Sequence, residues 1–203
     1  MCGFAQVPCQ IVQMTKAEQA AAFAAVNGKV TKVTSWQILK AALAAGEGWA
    51  TAANTIAVEA GCRLMTFNRN STEKKPGEIF GIKGFVSLVS QRQREHVVAA
   101  LKVMMSAEGY RDNKDAWEAG CMIPILTALT ERPAALAQSG FVRAFEEFDF
   151  WDLADRDAQE RRAKRRQGIA HPPKAETLRA GVLAWIDKAF PQRIALPGRS
   201  DSA

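Results

Sequence analysis

The densest run of potential chemistry in the sequence is Arg161-Arg162-Ala163-Lys164-Arg165-Arg166, five cations in six residues. Between Arg156 and Arg179 eight basic residues face three acidic ones, a surplus of five in a chain whose net charge is +6. Charge this concentrated attracts polyanions through counterion release, whereas the same charge spread evenly would mainly favour solubility. Guanidinium and ammonium groups arranged around a helix suit phosphate contacts that position a protein on DNA without reading bases. The nucleic-acid-binding set expected from the sequence is therefore Arg161, Arg162, Lys164, Arg165, Arg166 and Lys174. Two opposing readings accompany it. Basic residues in a last helical turn before Gly168 also complement the helix dipole. The acidic residues Glu146, Glu147, Asp149, Asp152, Asp155 and Asp157 could neutralise the run within or between chains.

Other chemistry is sparse. Cys2, Cys9, Cys62 and Cys121 form no Cys-x-x-Cys pair, and His96 and His171 are the only imidazoles, so zinc binding and Cys-His or Ser-His-Asp catalysis find no spacing to support them. No catalytic residue, cofactor or metal is expected. Adjacent Glu146 and Glu147 point to different helix faces and read as surface charge. Gln91-Arg92-Gln93-Arg94 reads as a solvated helix face, with Arg69, Lys74 and Lys75 as loop cations. Trp36, Trp49, Trp117, Trp151 and Trp185 fall at helical spacings and read as core.

The elements that must position these groups are mostly helical. A short strand is expected over 7–13, then a helix opened by Thr15 and Glu18 at capping-box spacing and stopped by Asn27-Gly28. Helices follow from Thr34-Ser35 to about Gly46 and from Trp49 to Ala60, small enough along their faces to pack as a hairpin; the second has too few base-reading side chains for a helix-turn-helix. Residues 62–67 suit a short strand, and 68–78, rich in Asn, Ser, Lys, Pro and Gly, a loop. Helical periodicity then runs from Gly84 to Gly109, with a polar middle at 91–95. Asp112 or Asn113 caps a helix containing Trp117 to Leu129 and kinked at Pro124, and Pro133 opens another that Gly140 interrupts. A polar helix covers about 152–167, His171-Pro172-Pro173 breaks it, and Leu178, Val182, Trp185 and Ile186 mark an amphipathic last helix ending before Pro191.

Val7-Pro8-Cys9-Gln10-Ile11-Val12, the helix with Glu18-Gln19-Ala20, Phe23 and Asn27, then Val33-Thr34 through Lys40-Ala41-Ala42-Leu43-Ala44-Ala45-Gly46 and Ala57-Val58-Glu59-Ala60-Gly61 occur in an order that resembles the ParB/sulfiredoxin superfamily. The likeness covers about residues 5 to 65 and is nearest to versions carried on phages, plasmids and integrated elements. In that family the phosphate-binding or catalytic Gly and Arg/His residues stand just upstream of the Val-Pro-Cys-like strand. Here Met1 lies only a few residues before it, so no catalytic or nucleotide-binding residue carries over. The resemblance implies a ParB-like, DNA-associated accessory protein of a mobile element or prophage, non-catalytic as the chain stands.

The fold expected is mainly α: a helical bundle-like domain with a small α/β remnant of one or two short strands at the N-terminus. Its divisions are a ParB-like portion over 1–67, a loop or linker over 68–83, a helical domain over 84–196 and a disordered tail over 197–203. The chain has no apolar run of membrane-spanning length, and Met1-Cys2-Gly3-Phe4 lacks the charge and hydrophobicity of a signal peptide, so a cytoplasmic protein without a membrane partner is expected. DNA is the expected partner. The alternatives are a helical scaffold whose acidic and basic stretches pair in a homo-oligomer, and a fragment of a longer nucleotide-dependent enzyme or nuclease carrying the upstream motif.

Overall fold

The computed structural model describes residues 13–16, 18 and 33–191. The expected strand over 7–13 and the helix to Asn27-Gly28 lie almost wholly outside the described residues, as does the tail from Pro197. The capping box that opens that helix is within them. The Thr15 amide donates to Glu18 Oε2 at 2.8 Å, and the Glu18 amide donates to Thr15 Oγ1 at 3.3 Å. Residues 1–34 form one compact unit and residues 35–203 a second.

In the second unit the described elements are α1 (Ser35–Ala44), α2 (Gly48–Glu59), β1 (Arg63–Leu64), a 3-10 turn (Ser71–Glu73), β2 (Glu78–Ile79), α3 (Ile82–Gln91), α4 (Arg94–Ser106), a second 3-10 turn (Lys114–Trp117), α5 (Ala119–Thr130), α6 (Pro133–Leu136), α7 (Phe141–Glu146), α8 (Phe150–Arg166) and α9 (Lys174–Ala189). The protein is mainly α, as its helical periodicities require, with a two-stranded remnant. The described strands are β1, inside the 62–67 segment expected to be a short strand, and β2. They pair in parallel, Arg63 opposite Glu78 and Leu64 opposite Ile79.

That pairing corrects the reading of 68–83 as a linker between domains. The break between compact units falls after Thr34. The polar loop is instead held inside one unit because Glu78 is buried and satisfied: its carboxylate accepts from the Lys75 amide at 3.0 Å and from Arg69 Nη1 at 3.1 Å. A buried carboxylate without such partners would be costly. The residues that looked like linker composition are the ones that make the turn around it.

The core is built on α5, whose sequence AGCMIPILTALT is apolar on nearly every face and buries Met122, Ile125, Leu126 and Leu129. A helix apolar all round belongs in an interior. α4 covers one side of it with Val97, Leu101 and Met104, and α9 another with Leu178, Val182 and Ile186, a stripe at every fourth residue. α3 approaches through glycines: a Cβ at Gly81 would stand 2.8 Å from the Ala119 Cβ, and one at Gly84 3.0 Å from Ile123 Cγ1. α5 runs unbroken through Pro124, and Pro133 is the first residue of α6.

Two helical expectations need correction. Gln91-Arg92-Gln93-Arg94 is no continuous helix face, because Arg92 is extended (φ −122°, ψ 154°) and separates α3 from α4. Asn113 caps only the 3-10 turn, accepting from the Asp115 amide at 3.0 Å, and α5 starts after it. Gly140, at φ +89°, interrupts the segment opened by Pro133 as its position suggests, capping the start of α7 in a left-handed conformation that costs glycine little. Around α7 the rings of Tyr110, Phe141, Phe145, Phe148, Trp185 and Phe190 form a stacked and edge-on cluster. Trp117 is core, its Nε1 donating to the Tyr110 carbonyl at 3.0 Å, but Trp49 and Trp151 remain substantially exposed.

Candidate nucleic-acid interface

The basic run sits on α8, a helix with little apolar surface of its own. Asp149 starts it, one carboxylate oxygen accepting from the amides of Trp151 and Asp152, both at 2.9 Å. Pairs one turn apart line its length: Asp152 with Arg156 at 2.7 Å, Asp157 with Arg161 at 3.1 Å and Glu160 with Lys164 at 2.7 Å. Its end is a Schellman turn, in which the Ile169 amide donates to the Lys164 carbonyl at 2.9 Å, the Gly168 amide to the Arg165 carbonyl at 3.2 Å, and Gly168 takes φ +70°. Arg165 and Arg166 lie in that last turn, where cations meet the unpaired carbonyl ends favourably.

The six residues expected to bind nucleic acid thus divide. Arg161 is structural: its guanidinium donates to Asp157 Oδ1 and Oδ2, to Thr177 Oγ1 at 3.1 Å and to the Pro172 carbonyl at 2.7 Å. Asp157 also accepts from Thr177 Oγ1 at 2.6 Å, so one buried carboxylate joins α8 to α9. Lys164 is half-buried and neutralised by Glu160. Lys174 is exposed at the first residue of α9, and its charge acts on the Cys121 thiol rather than joining the α8 cluster. Arg162, Arg165 and Arg166 remain, exposed and without an acidic partner among the described residues. Because guanidinium is planar, permanently charged and weakly hydrated, an unpaired trio of this kind is matched to phosphate oxygens.

Beside the trio, Arg161, Arg165, Gly168, Ile169, Ala170 and His171 line a cleft of about 400 Å³ where α8 turns towards α9. His171 is almost buried there. Its Nδ1 lies 3.0 Å from the Pro172 carbonyl, and its Nε2 lies 3.9 Å from Asp157 Oδ1 and 4.0 Å from Glu160 Oε1. The sequence run of arginines pointed to this end of the helix but not to the cleft, whose other wall is the segment between Gly168 and the two prolines.

Of the remaining cations weighed from sequence, Lys75 is exposed and the others are paired. Arg92 and Arg179 share the Glu131 carboxylate, and Arg94 pairs with Glu59. Arg69 pairs with Glu78 and covers the Phe67 ring, while Lys74 pairs with Glu118 at 2.8 Å and lies over the Phe80 ring. Among the described residues no three metal-ligating side chains converge, and no helix is long and apolar enough to cross a membrane.

Cys62 is not placed for nucleophilic work, since burial pushes its thiol up from an ordinary 9.0 to about 12. Burial likewise raises the phenol of Tyr110, whose hydroxyl donates to the Phe148 carbonyl. The folded protein therefore keeps protons that the unfolded chain releases, and stability falls as pH rises. The loss begins near pH 9 with Cys62 and approaches about 1.4 kcal/mol per pH unit for that group before Tyr110 adds to it. Urea midpoints measured from pH 7 to pH 10.5 should fall above pH 9, less steeply in Cys62→Ala; a flat profile would contradict this burial.

Fold and site together define a mainly helical protein that presents an arginine-rich helix terminus. Comparison with protein-family models, curated proteins and solved structures found no match.

Proposed function

We propose that this is a non-catalytic, DNA-associated accessory protein that binds through backbone phosphates with little sequence discrimination. The observation that carries the reading is the exposed Arg162, Arg165 and Arg166 on a helix whose other cations, Arg156, Arg161 and Lys164, are each neutralised one turn away. The net positive charge of this helix is thereby focused at one end, where it faces solvent. The order of residues 5 to 65, which resembles ParB-like proteins of mobile elements, supports the same class of role.

The test is a salt-titrated fluorescence anisotropy assay on two unrelated duplexes, comparing the native chain with Arg162→Ala/Arg165→Ala/Arg166→Ala. Arg161 is left intact because its loss would open the α8–α9 junction and mix folding with binding. Equal affinity for both duplexes is expected. Affinity in the variant should fall by at least about tenfold at low salt, and the slope of log affinity against log salt should be smaller by about 3, near one unit for each lost phosphate contact. Unchanged affinity in the variant would sink the assignment. No binding by the native chain at low salt would turn the search to protein partners.

A further inference from the structure

We infer that the cleft at the end of α8 is a phosphomonoester subsite, accepting the terminal phosphate of a nucleic-acid strand or of a free nucleotide. The inference deepens the proposed DNA-associated role and rests on the same helix end: it shares Arg165 with that reading and adds the groups of the cleft wall. A continuous duplex backbone presents diesters along a convex surface, which the outward-facing Arg162 and Arg166 suit. The cleft is an open concavity of about 400 Å³ bounded on one side by the turn from Gly168 to His171, into which a strand end reaches more readily than a continuous backbone. A terminal phosphate, with three free oxygens and up to two charges, can use donors arriving from several sides at once.

Those donors are present. Arg165 lines the cleft and has no acidic partner among the described residues. The backbone N–H groups of Ala170 and His171, in the cleft wall, have no acceptor among the described residues. Of the five N–H groups on Arg161, four are taken by Asp157, Thr177 and Pro172, which leaves one. The acids nearby do not oppose an anion strongly: Asp157 is neutralised by Arg161 and Glu160 by Lys164. Ile169, 53% exposed, supplies an apolar wall suited to a sugar or base edge behind the phosphate.

The experiment uses the full chain and oligonucleotides of one sequence carrying either a 5′-phosphate or a 5′-hydroxyl. Anisotropy should show the phosphorylated strand binding about three- to tenfold more tightly, the contribution of a charge-assisted contact set. The preference should vanish in Arg165→Ala, return in part in Arg165→Lys and persist in Arg162→Ala/Arg166→Ala. In parallel, inorganic phosphate should shift the amide NMR signals of Gly168, Ile169, Ala170 and His171. A nucleoside 5′-monophosphate that competes as well as the strand identifies the free nucleotide as the source, and one that does not identifies the strand end; both support the subsite. Equal affinity for the two ends, with amide signals unmoved by phosphate, overturns it while leaving the DNA-associated role standing if both strands bind. Arg165-dependent phosphate shifts without any DNA binding would do the reverse.

Discussion

Asp157→Ala is expected to lower the unfolding free energy by about 3 kcal/mol, close to the lower bound for breaking a buried ion pair. The carboxylate is only 7% exposed and accepts from Arg161 and from Thr177, residues on two helices. Removing it leaves the Arg161 guanidinium, whose side chain is 24% exposed, without its counter-charge, and leaves the Thr177 hydroxyl only the Lys174 carbonyl of its own helix as acceptor. Partial exposure of Arg161 is the reason for choosing the lower end of the range, since water recovers some of the lost interaction. Asp157→Ala/Arg161→Met should regain much of the stability, because the uncompensated cation is then gone and an apolar chain fills its place. Urea denaturation of the three proteins checks the argument. A loss below about 1 kcal/mol in the single variant would show that Asp157 does not hold α8 to α9.

Phe145→Ala should cost about 3–5 kcal/mol, the range for emptying an aromatic site in a well-packed core. Phe145 is 0% exposed, stacks on Tyr110 with centroids 4.2 Å apart, and lies 5.9 Å from the Trp185 ring and 6.3 Å from each of Phe141 and Phe148. Because it touches rings from before α5 and from α9 as well as from its own helix, the cavity cannot be closed by one neighbour swinging inwards. For a domain of this size the loss corresponds to about 10 °C in Tm by calorimetry. Phe67→Ala, at a ring 44% exposed, is the matching control and should fall within about 1 kcal/mol of the native protein. Similar losses for the two variants would place the cluster outside the cooperative core.

The helices were legible where local chemistry decides them. Thr15 with Glu18, Pro133, Gly140 and the Leu178-Val182-Ile186 stripe each act within one or two turns, and each is found where its spacing places it. The 68–83 segment was misread because its composition is that of a linker, while its order comes from Glu78 and from a ladder partner fifteen residues away in sequence, Arg63 opposite Glu78. Non-local pairing leaves no periodic trace. The arginine run marked the right helix end, yet its members were not equivalent. Whether a cation is free depends on what stands one turn back and across the junction. Asp157 and Glu160 are visible in the sequence as partners at four-residue spacing, but the grip of Thr177 and Pro172 on Arg161 belongs to the folded hairpin alone. The cleft, made from the turn after Gly168, had no sequence signal beyond a glycine and two prolines.

The position of α9 has a consequence for the protein's birth on the ribosome. α5 emerges with Met122, Ile125, Leu126 and Leu129 ready to be buried, but the helix that covers one side of them is the last described element, Lys174–Ala189. During synthesis at about 5–20 residues per second, the apolar side of α5 therefore waits for several seconds with no cover from its own chain. Any truncation before Leu178 leaves that side of α5 without the stripe that covers it, exposed apolar surface of the kind that promotes aggregation.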